Sequence, residues 1–264
     1  MSGFDLRGDG KVAFITGGAQ GLGRAAAQVF GQAGYAVALF DTDRTAGAQA
    51  AAALAEAGVD ALFLAGDVRH TADVDSAIEA TLAKWNRLDV ALNNAGISGH
   101  GAWIDELDEE DLEQVLAVDL KGVFHVCKRA VRAQKQRGGG SILNIASITA
   151  DGSAAYPAYA AAKAGVIALT RGIARQTGRF NIRVNAISPG SIAGTGLMRR
   201  EWADVDRDTR RARRLSSLRR IPLGRFAEPR DVAHVALFLA SPLARHIHGT
   251  IVTVDGGEML GAVS

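Results

Sequence analysis

The sequence predicts an α/β fold in a single domain, a doubly wound parallel sheet of about seven strands flanked by helices. Short β-branched apolar runs alternate with helical patterns along the whole chain. Those runs are continuously apolar rather than alternating, as strands buried on both faces must be. The first strand-to-helix turn, at 16–23, is rich in glycine.

Residues 11–16 read as a strand, and after the Gly-rich turn Leu22, Ala25, Ala26, Val29 and Phe30 recur at helical spacing as far as Gly34. A strand over 35–40 ends at Asp41. A helix over 44–57, a strand over 61–65, a helix over 72–86 and a strand over 88–92 continue the pattern. The second half repeats it at longer period: helix 109–136, strand 141–146, helix 157–178 and strand 182–187. A charged insert, a helix over 229–240 and a strand over 250–254 follow. Such alternation implies right-handed crossovers and a parallel sheet. No linker or break in composition sets off a second domain, so residues 1–264 are expected to form one.

Of the 264 residues, 48% are hydrophobic, enough for a sizeable core, and the formal net charge is only +2. That balance argues against nucleic acid and against an anionic membrane surface as partners. Cys127 is the only cysteine, so no intramolecular disulfide forms. It reads as a small core residue on its helix rather than a nucleophile. The first residues lack an apolar signal core, and no apolar run approaches the roughly 20 residues that span a bilayer. A cytoplasmic protein is expected.

In Thr16-Gly17-Gly18-Ala19-Gln20-Gly21-Leu22-Gly23 the glycines permit a tight turn and close approach of backbone to a pyrophosphate. The helix that follows supplies unpaired N–H donors and a favourable dipole. The spacing of Gly17, Gly21 and Gly23 departs from the tight GxGxxG form. Asp41 strengthens the reading, because a carboxylate at the tip of the second strand accepts hydrogen bonds from both hydroxyls of an adenosine ribose. Its charge repels a 2′-phosphate, and Gln20 puts no basic residue before Gly21, so NAD is expected over NADP; Arg44 is the opposing feature. Asp67-Val68 and Asn94-Ala95-Gly96 end the third and fourth strands, where open α/β sheets bind ligands.

Tyr159 and Lys163 are four residues apart on a predicted helix, hence on one face. A cation beside a phenol stabilises the phenolate and lowers a reference pKa of about 10 toward the working range. Ser147, at the end of the preceding strand, is placed to hydrogen-bond a substrate oxygen.

With these residues in place, the sequence resembles the single-domain, NAD-preferring branch of the short-chain dehydrogenase/reductase family, a Rossmann fold. Matching segments are TGGAQGLG at 16–23, Asp41, Asp67-Val68, NNAG at 93–96, Ser147 and YAAAK at 159–163. RVNAISPG at 183–190, GRFAEPRDVA at 224–233 and VDGG at 254–257 complete them, in family order over nearly the whole chain. The resemblance implies an enzyme that moves a hydride between NAD(H) and a secondary alcohol or ketone, with a sugar, polyol, hydroxy acid or cyclic alcohol as substrate classes. Tyr159 would be the general acid/base and Ser147 would polarise the substrate oxygen. Lys163 would hold the nicotinamide ribose and lower the Tyr159 pKa. Gly17, Gln20, Gly21, Leu22, Gly23, Asp41, Asp67, Val68, Asn94, Ala95 and Gly96 would hold the cofactor, joined by Tyr159 and Lys163. Pro189, Gly190 and Ile192 would lie along the nicotinamide, with Thr195 near its carboxamide. The resemblance also implies a homotetramer and a substrate lid at about 194–222.

Three departures stand out. The family's fourth catalytic residue, usually Asn, is Asp119 here, and a nearby carboxylate tends to keep Lys163 charged. Ser147 and Tyr159 are one residue closer than is commonest, and the stretch from Pro189 to Thr195 holds one residue more than PGxIxT. Tyr156 competes with Tyr159, but the residue four further on is Ala160.

Nine arginines lie between 199 and 220, partly offset by Glu201, Asp204, Asp206 and Asp208. They read as a solvated helical face, the sharper alternative being recognition of a carboxylate or phosphate. Trp202 is expected as an apolar lid contact, facing Gly152, Ser153 and Ala154. His246 and His248, like His100 and His125, lack further ligands at metal spacing, so no metal is expected. The alternative enzyme reading is an NADPH-dependent 3-oxoacyl-type reductase, since such enzymes share every motif quoted.

Overall fold

Residues 6–194 and 206–261 are described by the structure, a computed structural model. Seven strands form one sheet: β1 (Val12–Thr16), β2 (Ala36–Asp41), β3 (Ala61–Ala65), β4 (Val90–Asn93), β5 (Gly140–Ile145), β6 (Ile182–Pro189) and β7 (Ile251–Val254). All neighbours are parallel, in the order β3-β2-β1-β4-β5-β6-β7. The chain winds outward from β1 to β3, then crosses back to place β4 on the other side of β1. The two windings diverge between β1 and β4, and the crevice at the carboxyl ends of those strands is where such sheets take ligands.

The helices are α1 (Gly21–Gln32), α2 (Arg44–Glu56), α3 (Thr71–Trp85), α4 (Glu109–Leu116), α5 (Gly122–Gln136), α6 (Pro157–Thr177), α7 (Arg207–Arg219) and α8 (Pro229–Ala240). Side chains alternate across the sheet, so Ala13 and Ile15 meet α1 and α8 on one face while Phe14 meets the layer of α3, α5 and α6 on the other. Both faces being covered, the central strands need no polar alternation, and β1 is buried at every position.

Three sequence expectations change. The helix expected over 109–136 is interrupted by a π-helical turn, Ala117–Lys121, which contains Asp119. β6 runs two residues beyond its expected end, to Pro189, and pairs with β7 there. Part of the charged insert is a helix, α7, capped by Asp206, whose Oδ1 accepts from the amides of Asp208 and Thr209, both at 3.0 Å. It buries no side chain, as a solvated face should. Trp202, Thr195, Arg199 and Arg200 lie outside the described residues.

Several polar side chains brace the frame. Cys127 lies in the core, beside Asn93 and Asn144, and burial pushes its thiol up to about 12. His248 joins β6 to α6: Val184 N–H donates to Nδ1 at 3.1 Å and Nε2 meets the Ala174 carbonyl at 2.8 Å. Those partners require a neutral ring protonated on Nε2. His125 Nδ1 bonds the Val68 carbonyl and His100 Nδ1 pairs with Asp111, both at 2.9 Å. Among the described residues no three His, Cys, Asp or Glu side chains converge on a metal-sized site, and no helix is long and apolar enough to cross a membrane.

Replacing His248 by Ala removes the side-chain acceptor of the Val184 amide and takes from the Ala174 carbonyl one of its two donors, leaving it the Gly178 amide. The change is expected to lower unfolding free energy by about 1–3 kcal/mol in urea titrations. A variant as stable as the parent would contradict the bracing role.

Candidate active site

The Gly-rich turn is bound to β2 before any ligand enters. Gly17 N–H donates to the Phe40 carbonyl at 2.8 Å, and Ala19 N–H to Asp41 Oδ2 at 3.0 Å. Gly17 and Gly21 have φ of 63° and 54°, the left-handed region that glycine takes without strain. A Cβ on Gly23 would collide with the Gly17 carbonyl, so the helix must start against bare backbone there. Gln20 occupies the N-cap position in extended conformation, with no side-chain cap, and the first turn of α1 carries no acid. The turn therefore keeps helix donors and dipole available to an anion. These features fit a pyrophosphate, and Leu22, facing the core, anchors the turn's far side.

Asp41 closes β2 beside that turn. Its Oδ1 accepts from the Asp43 amide at 3.0 Å, which with the Ala19 bond fixes both oxygens. Asp67 sits one strand further out. Its Oδ1 accepts the Arg69 amide at 2.9 Å, and its Oδ2 takes the Arg69 guanidinium at 2.9 and 2.6 Å. Burial would raise the Asp67 carboxyl, but Arg69 outweighs it and holds it below the usual carboxylate range. Neighbouring Val68 is buried, its Cγ2 in the place a Cβ on Gly122 would take.

Asn94 stitches the crevice together. Its Nδ2 donates to the carbonyls of Thr16 and Gly17 at 3.0 and 3.1 Å, and the amides of Asn94 and Ala95 both donate to Thr16 Oγ1 at 3.0 Å. Thr16, which the sequence offered only as the head of a motif, thus ties β1 to the end of β4. Gly96 follows, and a Cβ there would come within 2.7 Å of Asp119 Oδ2.

Asp119, Lys163 and Tyr159 come together from the π turn and α6. Lys163 Nζ lies 3.0 Å from Asp119 Oδ2, with side-chain exposures of 3% and 0%. The contact is a buried ion pair at hydrogen-bond distance. Lys163 also donates to the Ile145 carbonyl at 3.0 Å, and Asp119 Oδ1 accepts the Ile97 amide at 2.8 Å. The ammonium is 5.3 Å from the centroid of the Tyr159 ring. Burial pushes the Asp119 carboxyl above its ordinary range, with Lys163 and the Ile97 amide opposing. Burial draws Lys163 down, but Asp119 and then Tyr159 outweigh it and hold the ammonium above the usual lysine range.

Ser147 closes the carboxyl end of β5. Its Oγ accepts from the Thr149 amide at 3.2 Å and the Thr149 hydroxyl at 2.9 Å. Both bonds use lone pairs, which leaves the Ser147 proton available to a substrate oxygen. Pro189 and Gly190 end β6, and Ile192 forms a parallel bridge with Ala227. Thr195 is the one expected site residue beyond the described chain. Ile97, Ile145 and Thr149 were not anticipated; two act through backbone groups, which no residue pattern reports.

A family model described as enoyl-(acyl carrier protein) reductase matches residues 17–258. A 3-oxoacyl-(acyl-carrier-protein) reductase from Chlamydia pneumoniae is 36% identical over 249 residues, 94% of this chain and 96% of that protein. The chain belongs to the short-chain dehydrogenase/reductase family. A cis-4-hydroxycyclohexanecarboxylate dehydrogenase from Sinomonas cyclohexanicum is 40% identical over 248 residues, 94% of this chain and 96% of that one. The crystal structure of levodione reductase superposes with a TM-score of 0.92 at 32% identity, covering 96% of this chain and 99% of that chain. An oxidoreductase of this family works on alcohol and ketone groups with a nicotinamide dinucleotide.

Asp119→Asn keeps the shape of the ion pair and removes its charge. The acidic limb due to the raised Asp119 carboxyl should disappear, and Lys163, without its anion, should lose its proton at lower pH. The kcat/KM profile is thus expected to lose its acid limb and to have its alkaline limb moved to lower pH, by on the order of one unit. Rates and profile both matching the parent would remove Asp119 from the mechanism. Asp119→Leu, which strands the buried ammonium, should cost about 3–5 kcal/mol of stability.

Proposed function

We propose that the protein is an NAD-dependent dehydrogenase that interconverts a secondary alcohol and its ketone. The observation that carries the reading is the buried Lys163 ammonium, held by Asp119 and the Ile145 carbonyl beside the Tyr159 ring. A fixed cation next to a phenol lowers the cost of the phenolate, so Tyr159 can both give and take a proton near neutral pH. In reduction, the Tyr159 hydroxyl protonates the carbonyl oxygen as the carbon gains its hydride; in oxidation, the phenolate takes the alcohol proton. Ser147 donates to the same oxygen and steadies its developing charge. The bound nicotinamide supplies or accepts the hydride. Gly17, Gly21 and Gly23 would cradle the pyrophosphate, and Asp67, Val68, Asn94, Ala95 and Gly96, at the strand ends, would complete the crevice that holds the dinucleotide. Pro189, Gly190 and Ile192 would lie along the nicotinamide.

Asp41 supports NAD as the dinucleotide. Its carboxylate is pinned by Ala19 and Asp43 at the tip of β2, where a ribose bearing free hydroxyls satisfies it and a 2′-phosphate meets a fixed negative charge. A second reading, an NADPH-dependent 3-oxoacyl-type reductase, draws on the name of the chlamydial relative and on Arg44, exposed at the start of α2. Cyclic alcohols are the substrate class favoured here, in keeping with the names of the Sinomonas and levodione relatives.

A screen of cyclic alcohols, polyols and hydroxy acids with NAD and NADP in parallel tests both readings by absorbance at the reduced nicotinamide band. NAD is expected to be preferred, and Asp41→Asn to erode that preference about tenfold or more. A strong NADP preference in the parent would overturn the Asp41 argument. Tyr159→Phe is expected to lower kcat at least about a hundredfold while dinucleotide binding persists.

A further inference from the structure

The stretch that follows β6 rests on the turn that follows β7. Glu258, in that turn, takes both donors of Ser191: the backbone N–H at 2.9 Å on Oε2 and the hydroxyl at 3.0 Å on Oε1. Asp255 builds the turn, its Oδ1 accepting from the Gly257 amide and its Oδ2 from the Met259 amide, both at 2.9 Å. Gly190 lies against the two acids; a Cβ there would come within 2.7 Å of Asp255 Cβ and of Glu258 Oε2. The other side of Ser191 is also tied, since its carbonyl accepts the Ala227 amide at 3.0 Å and the Ala193 amide donates to the Ala227 carbonyl at 2.8 Å. The same turn reaches that second stretch directly, with Leu223 N–H donating to the Gly256 carbonyl at 3.1 Å.

We propose that Glu258 is a positioning residue for the nicotinamide half of the dinucleotide, fixing the register of Gly190, Ser191 and Ile192. The inference rests on the dehydrogenase reading and adds to it a residue that touches neither substrate nor reacting atoms. A carboxylate is suited to the task because it presents two acceptors side by side, which the adjacent N–H and O–H of one serine require. Gln offers a single oxygen and Met none. The stretch bears on the reaction because hydride transfer tolerates displacement of well under about 1 Å before the rate falls. A clamp on Ser191 therefore acts on the face of the ring that Gly190 and Ile192 back. It also explains why Gly190 is glycine: a side chain would push Glu258 off Ser191.

Glu258→Met and Glu258→Gln in the full chain test this, with NADH or NADPH, whichever the parent binds, followed by its fluorescence on binding. Glu258→Met is expected to weaken dinucleotide binding about tenfold or more, the loss of charge-assisted hydrogen bonds. The midpoint of the dinucleotide-free protein should fall by only a few degrees. Glu258→Gln should fall between the two, and the KM for the dinucleotide should rise in the same order. Parent-like binding and KM in Glu258→Met would overturn the role. Should the Met variant fail to fold, Glu258→Gln decides, and binding indistinguishable from the parent overturns it equally. A parent chain that binds neither dinucleotide removes the dehydrogenase reading and this role with it. Binding by the parent with unaltered variants removes this role alone.

Discussion

A parallel sheet covered by helices on both faces offers a ligand only the ends of its strands. In this chain that constraint decides where every polar group of the site can lie. Thr16, Asp41, Asn94, Ser147 and Pro189 each stand at or just beyond the carboxyl end of a strand, although 173 residues separate the first from the last. The two faces are apolar to the point that β1 is buried throughout, so the sheet cannot shift its register without exposing its core. Rigidity at the strand ends follows from packing far below them.

Within that frame, the ammonium of Lys163 is the most expensive group to hold. A buried cation needs compensation, and here a carboxylate, a carbonyl and an aromatic face supply it from three separate elements. The helix that carries Asp119 widens by a π turn at that point, a distortion that often marks functional positions. Gly96 leaves room for Oδ2, and Ile97 gives its amide to Oδ1. The ion pair therefore reaches from the end of β4 to α6, and a change in any of these contacts is felt at the Tyr159 ring.

Strand positions were legible because continuous apolar runs survive any choice of window; β3 falls on the expected residues and β1 starts one residue late. The π turn was not legible, since Leu116, Leu120 and Val123 keep a helical spacing that one extra residue per turn does not disturb. Asp119 was visible as a departure, but its direct contact with Lys163 depends on that turn. The spacing of Ser147 and Tyr159 could be read, whereas the carbonyl of Ile145 and the amide of Ile97 have no side-chain signature. Asp67 was expected beside a ligand, and Arg69, only two residues on, already occupies its carboxylate. Glu258 was invisible because its partner, Ser191, is 67 residues away and nothing in the local sequence announces the pairing.

The bond from the Ala19 amide to Asp41 has an evolutionary consequence. On the NAD reading, the residue that would discriminate between cofactors also holds the Gly-rich turn, so the two properties would not be free to vary separately. A lineage drifting toward a phosphorylated dinucleotide would first lose a brace on the turn that grips the shared pyrophosphate, and so pass through a poor binder of either. Such a route is epistatic: a new donor or acceptor for Ala19 has to arise before, or together with, any basic replacement at 41. Ancestral and extant sequences that differ at 41 should accordingly differ at a neighbour of the turn as well.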